Sequence, residues 1–581
     1  MSEILSRYCP KIEFESYEDF YENYRCNVPD DFNFAYDVVD EWARMEPQKT
    51  ALLWTDDTGV VKSYTFADIK RLSDKAANAL IALGVKKGDV VKLILKQRPE
   101  VWVLMCALSK TGAICIPGTY QLTAKDLEYR CNIAGVKLLI TVDDADVLQH
   151  IASSLPNCPN LEKIAVVGSN IPAPYIDMRR EIERAPDVFT KIATVTKDPM
   201  LIYFSSGTTG MPKMVIHNHA LPLGHIVTAK YWHCAENNGV HLTQTDSGWA
   251  KFAWGKIYGQ WICGAIIGVY DTEKFTPKGM LDAIQRLKPV TFCAPATVFR
   301  YLIKEDLSGY DFSFIRRTSV AGEPLSPEVY RKLMELTGLE LCEGFGQSET
   351  SVMAATFKWL NVKPGSMGKP APLFGIQLLD EDGKLCDEGI VGNISITCAG
   401  RNMFESTGGQ GTGEIAPPTD DSSLEIGVSD TPGVFRGYWK DREITQKNWK
   451  GSIYQTGDMA WSDDDGYLWF VGRNDDVIKC SGYRIGPFEV ESALMEHPSV
   501  LECAVTAASD QIRGQVVKAT VVLVHGFSPS DELTRELQNH VKRVTAPYKY
   551  PRIVEFVPEL PKTISGKIRR VEIREQVEGS R

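Results

Sequence analysis

Between residues 65 and 116 the apolar residues switch period from helical to extended and back, and that rhythm confines the chain to a parallel sheet covered on both faces. Thr65 followed by Asp68 has the form of a capping box, Ile69, Leu72, Ala76 and Leu80 recur at helical spacing, and Gly84 stands where such a helix stops. "VVKLIL" (90–95) is a short β-rich run, a Pro99-led helical stretch follows, and "GAICIP" (112–117) is a second apolar run. "VKLLITV" (136–142), "KIAVVG" (163–168) and "TFCAPA" (291–296) continue the pattern, which makes the fold class α/β.

At 581 residues the chain exceeds a single core. Residues 402–433 are rich in Gly, Ser, Thr, Asp and Pro with little periodicity, and read as an exposed loop insertion. After "GYLWFVGR" charged residues interrupt the apolar runs, and a helix near 487–496, a strand "KATVVLV" and a helix near 530–544 follow. The expected division is a large N-terminal domain of layered sheets and helices over 1–473, with a small mobile C-terminal α/β domain over 474–581.

A net charge of −11 opposes broad binding to nucleic acid or to anionic membranes. No stretch reaches the ~20 apolar residues of a spanning helix. The N-terminus, "MSEILSRYCPKIEFESYEDFYENY", is acidic and aromatic, unlike a secretory signal or an Arg-rich transit peptide, so a cytoplasmic location is expected. Fourteen cysteines without C-x-x-C pairs read as reduced thiols. His217 and His219 have the H-x-H spacing of metal ligands, but no third ligand is apparent nearby, so a transition-metal site is not expected.

"YFSSGTTGMPK" (203–213) follows the apolar run Pro199-Met200-Leu201-Ile202. It is either a solvated Ser/Gly turn or a phosphate cradle. Gly207 and Gly210 let backbone amides turn toward one point; Ser205, Ser206, Thr208 and Thr209 add hydroxyls, and Lys213 adds a charge. Met214 after Lys213 excludes a Walker A loop, which needs Ser or Thr there.

With "AGEP" (321–324), "EGFGQSET" (343–350), "YQTGD" (454–458), "GRNDDVIKCSGYRIGPFEVE" (472–491) and "PKTISGKIRR" (561–570) in the same order, this loop resembles the adenylate-forming enzymes: acyl-CoA synthetases, peptide-synthetase adenylation domains and luciferases. "GWAK-x-AW" (248–254) is similar to medium-chain acyl-CoA synthetases. The resemblance runs from the Thr65 region to the C-terminus. It implies that a carboxylic acid is joined to the α-phosphate of ATP with release of pyrophosphate, and that the acyl group then passes to CoA with release of AMP. ATP, CoA and Mg2+ are the implied co-substrates and activator. A separate carrier protein as acceptor, a luciferase-like oxidation and a non-catalytic nucleotide-binding relative stay open as alternatives, as does assembly into a homo-oligomer.

The resemblance also implies residue roles. Ser205 to Lys213 would wrap the β- and γ-phosphates, Gly322, Glu323 and Pro324 would line the adenine, Phe345 would stack on it, and Asp458 would accept the ribose hydroxyls. Glu349 would ligate magnesium, Thr350 would sit beside the phosphates, and Arg473 and Arg484 would reach the nucleotide. Lys567 would bridge the α-phosphate and the substrate carboxylate, Asp475 would be the hinge, and Ser481 and Gly482 would lie on the pantetheine path. Trp254, Tyr258, Trp261 and Gly346 would line the acyl pocket, with Gly346 opening a floor that acetate enzymes close with Trp; a turn needing positive φ would equally explain that glycine. Lys256 departs from the subfamily's small residue. Pointing inward it would favour short, branched or polar acids; pointing outward it would be a surface lysine.

Overall fold

A computed structural model of the chain describes residues 3–205, 211–397, 431–480, 483–510, 514–563 and 568–578. Thr65 and Asp68 form the reciprocal capping box ahead of helix Phe66–Ala82, which buries Ile69, Ala76 and Leu80. Helix Glu100–Thr111 ends on Gly112 in the left-handed conformation and is buried at every position after the first. A helix apolar all round belongs between layers rather than at a surface. Its one interior cation, Lys110, is held by Asp40 (2.7 Å) and Asp74 (2.6 Å), as a buried ammonium requires.

Two sheets flank that helix layer, and their facing residues join one hydrophobic core. The first runs in the order Ile176–Asp177, Lys163–Val167, Val136–Val142, Val90–Ile94, Ile114–Pro117, Pro199–Ser205, Lys213–Asn218. Every pair in it is parallel except the last, an antiparallel hairpin. The second runs Lys369–Pro370, Ala354–Ala355, Leu341–Phe345, Arg317–Val320, Thr291–Ala294, Val240–Thr243, Ile266–Asp271, Thr50–Asp56, Val61–Thr65. It is parallel from Leu341–Phe345 through Thr50–Asp56. A third, antiparallel sheet contains Ile453–Ser462 paired with Leu468–Arg473. A fourth has its own core and is built on Val500–Asp510 and Gly514–Leu523, with helices Pro487–Met495 and Asp531–Val544 beside it.

Most of the expected insertion, residues 402–430, lies outside the described residues. No disulfide joins any described cysteine, and no described helix is long and apolar enough to cross a membrane. The N-terminal segment is part of the core: Ile4, Leu5, Phe14, Tyr17 and Phe20 are buried, and Phe20 packs 4.5 Å from Tyr231.

His217 and His219 are both buried, and burial pulls each imidazole down to about 4. His217 Nε2 lies 2.7 Å from the Ser348 carbonyl, whereas neither ring nitrogen of His219 has a hydrogen-bond partner. An unfolded imidazole binds its proton near 6.5. Between that value and about 4 the unfolded chain therefore holds the extra proton, and His219 costs stability as pH falls, by at most about 1.4 kcal/mol per pH unit. His219→Phe is expected to gain on the wild type in thermal midpoint as pH drops from about 7 to about 5. A difference that stays constant with pH would contradict this.

Candidate active site

Three motif segments follow the C-terminal ends of parallel strands, where α/β sheets place their ligands. Pro199–Ser205 leads into the glycine loop, Arg317–Val320 into Ala321–Pro324, and Leu341–Phe345 into Gly346–Thr350. Ser205 and Lys213 are paired across the hairpin; Ser206, Gly207, Thr208, Thr209 and Gly210 between them lie outside the described residues. Lys213 is half-buried with its ammonium 5.1 Å over the Tyr438 ring. Burial draws it below the ordinary lysine value, and Glu349 opposes that shift.

Glu349 is buried and accepts a hydrogen bond from the Tyr438 hydroxyl at 2.9 Å. Burial raises its carboxyl; the Tyr438 hydrogen bond, Arg473 and Lys213 counter this. A hard, buried oxygen donor within electrostatic reach of Lys213 and Arg473 fits Mg2+, whose charge would favour the ionised carboxylate. Thr350 is buried in a tight turn, donating its amide to the Gln347 carbonyl (3.3 Å) while its hydroxyl accepts from the Gln347 amide (3.2 Å).

Asp458 is paired with Arg473 across the third sheet, and the guanidinium reaches its carboxylate at 3.3 Å. The other carboxylate oxygen accepts from Gln347 Nε2 at 2.5 Å, and Gln347 Oε1 accepts from the Tyr454 hydroxyl at 2.9 Å. Gln347, Tyr438 and Tyr454 are the residues sequence reasoning missed. Two sit inside quoted motifs, whereas Tyr438 stands in no motif and announces itself only through its contacts.

Gly322 adopts φ +98°, a backbone that side chains resist, and nothing lies within 4 Å of the position a Cβ would take. The Glu323 carboxylate turns away to the Thr297 amide (2.6 Å) and Arg300 (2.9 Å), which leaves its backbone rather than its side chain to line the strand end. Pro324 is half-buried beside it. The Phe345 ring is half-buried, 6.1 Å from Phe470.

Gly346 does not take a positive φ, so the turn explanation fails. A Cβ there would come within 2.4 Å of the Trp254 indole and 2.7 Å of the Ser351 carbonyl. The glycine therefore admits Trp254 rather than leaving the expected open floor. Tyr258 packs edge-on to Phe34, 4.9 Å between centroids. Trp261 is brought elsewhere: it stacks on Phe34 and donates to the Ala51 carbonyl at 2.9 Å, in the core under strand Thr50–Asp56. Lys256 is fully buried and is no surface lysine. Its ammonium donates to Gln97 Oε1 at 2.5 Å and lies 5.9 Å over Trp102; burial pulls it down to about 7, with Asp271 and Asp246 opposing.

Asp475 lies two residues beyond Arg473, the last residue of strand Leu468–Arg473, and the Arg484 backbone lies in strand Tyr483–Ile485. Ser481, Gly482 and Lys567 lie outside the described residues.

Residues 39–406 match the AMP-binding enzyme family, and residues 489–567 match the AMP-binding enzyme C-terminal domain. The chain belongs to the AMP-binding enzyme family. Over 573 residues it is 38% identical to Acyl-coenzyme A synthetase ACSM3, mitochondrial, of Mus musculus, covering 97% of this chain and 93% of that protein. It is 40% identical to Acyl-coenzyme A synthetase ACSM5, mitochondrial, of Homo sapiens, covering 94% and 91%. Among solved structures, the anthranilate CoA ligase AuaEII in complex with anthranoyl-AMP superposes with a TM-score of 0.82 at 27% identity, over 95% of this chain and 98% of that one.

These relatives correct the expectation of a cytoplasmic location, because they are named mitochondrial. The N-terminal composition misled for a physical reason. Tyr17 and Phe20 are aromatic because they pack into the domain core, so the segment's composition reports folding rather than address.

Proposed function

We propose that this chain is an AMP-forming acyl-CoA synthetase acting on a short-to-medium-chain or branched carboxylic acid in the compartment of its relatives. It activates the acid with ATP to an acyl-adenylate, releasing pyrophosphate, and transfers the acyl group to CoA, releasing AMP. The observation that carries this is the meeting of two carboxylates, Glu349 and Asp458, with two cations, Lys213 and Arg473, at the strand ends of a full-length relative of acyl-CoA synthetases.

The first step must bring two anions together and stabilise the charge that develops on pyrophosphate, so positioning and electrostatics are the tools. Ser205 to Lys213 cradle the β- and γ-phosphates, with Lys213 kept from drifting by the Tyr438 face. Asp458 accepts the ribose hydroxyls, its carboxylate already turned by Gln347 and Arg473. Phe345 and the Gly322–Pro324 backbone hold the adenine. Mg2+ held by Glu349 would neutralise phosphate charge. Lys567 and Arg484 come from the small domain, 474–581, and Thr350 from the large one, 1–473; Asp475 between them is the hinge. Ser481 and Gly482 flank the thiol's path.

For the acyl end, Trp254 beside Gly346 sets one wall. A buried ammonium at Lys256 disfavours a long alkyl chain reaching it, because apolar surface there replaces polar partners.

Lys567→Ala is expected to lower acid-dependent ATP–pyrophosphate exchange by about a hundredfold or more while sparing thioester formation from supplied acyl-adenylate. Equal loss in both half-reactions would contradict its role. Lys256→Leu is expected to extend activity to longer linear acids, and an unchanged chain-length profile would remove Lys256 from the acyl site.

A further inference from the structure

The segment that joins the two parts of the chain is tied down on both sides of Asp475, by different parts of the molecule. On the N-terminal side the Asn474 amide donates to the Gly457 carbonyl at 2.9 Å, and Arg473 is held on Asp458, both within the third sheet. On the C-terminal side Asp476 is buried, 4% exposed, although it carries a carboxylate. Two arginines of helix Arg570–Glu578 reach it: Arg574 at 2.8 Å and Arg570 at 3.8 Å. Arg574 also donates to the Asp475 carbonyl at 3.2 Å.

Arg570 makes a fork onto Glu491 of helix Pro487–Met495, at 2.8 Å to each oxygen. Glu491 in turn accepts from the Val505 amide at 2.8 Å, in the long strand Val500–Asp510. Two buried carboxylates and two guanidiniums thus form one node. It fastens the peptide after Asp475 to three elements of the small domain. A node this polar is a costly choice for stability alone, since apolar residues fill such a space at least as well.

The geometry points to a clasp in which Arg574 and Arg570 act as positioning residues that confine the pivot between the domains to Asp475. The Asp475 carbonyl belongs to the rigid planar peptide shared with Asp476. Turning about φ or ψ of Asp475 therefore moves that carbonyl together with the small domain, and the bond from Arg574 survives the turn. Contacts do cross the pivot: the amides of Asp476 and Val477 both donate to the Arg473 carbonyl, at 3.0 and 3.1 Å, and Arg331 reaches Glu496 at 3.5 Å. Those break when the domain turns, and the clasp does not. Without the clasp the same rotation would spread over residues 475–478, and the small domain would arrive at its second orientation misplaced. The inference rests on the reading of Asp475 as the hinge of the two-step reaction.

The test uses the full-length enzyme and measures both half-reactions, pyrophosphate exchange and thioester formation from supplied acyl-adenylate, beside hydrogen exchange of the 474–478 amides. Arg574→Ala is expected to raise exchange of the Asp476 and Val477 amides roughly tenfold and to change the ratio of the two half-reaction rates by about fivefold or more. Arg574→Lys keeps the charge without the planar guanidinium and should fall between, which guards against simple misfolding. Equal slowing of both half-reactions, or unchanged amide exchange, would overturn the clasp. Asp475→Pro separates the two readings. Full ligation by that variant overturns the hinge itself, whereas a block at one half-reaction with no effect of Arg574→Ala overturns the clasp alone.

Discussion

Asp458 can accept two ribose hydroxyls only if its carboxylate stays ionised and pointed while largely out of water. It is 5% exposed, and it is held by Arg473 on one oxygen and by Gln347 on the other. The rest of the site depends on this pairing. Gln347 is fixed in turn by Tyr454, and the Gln347–Thr350 turn sets where Glu349 and Thr350 stand. Removing Arg473 would take from the buried carboxylate its guanidinium partner and leave the Gln347 hydrogen bond in place. Arg473 is also the last residue of its strand, two positions before Asp475, so in the proposed reaction the ribose site and the hinge would share one guanidinium.

The layers explain why the site lies where it does. Helix Glu100–Thr111 is sandwiched between two mostly parallel sheets, and the strands on either side deliver their C-terminal loops to one edge. The strand that ends at Ser205 belongs to one sheet; those that lead into Ala321–Pro324 and Gly346–Thr350 belong to the other. A third sheet supplies Asp458 and Arg473. The small domain keeps its own core, as an independently packed unit does.

Much of this was legible in the sequence because local signals and global fold agree. The Thr65–Asp68 box, Gly84 just past the end of its helix and the run 136–142 each appear where the sequence pattern placed them. The family was legible because several motifs stand in the family's order, and residues 39–406 match it. What stayed hidden depends on contacts between distant residues. Tyr438 on Glu349, Trp254 against Gly346 and Arg574 on Asp476 are separated by tens of positions, and no local pattern encodes them. Trp261 was misplaced for the same reason: an aromatic near a pocket motif packs into the core as readily as it lines a cavity.

The measurement that bears most directly on this account is magnesium-dependent ATP–pyrophosphate exchange across a panel of linear, branched and aromatic acids, followed by CoA addition. The account predicts exchange with short-to-medium or branched acids, and stoichiometric AMP and thioester once CoA is added. Exchange that never yields a CoA thioester, or nucleotide binding without exchange for any acid, would contradict it.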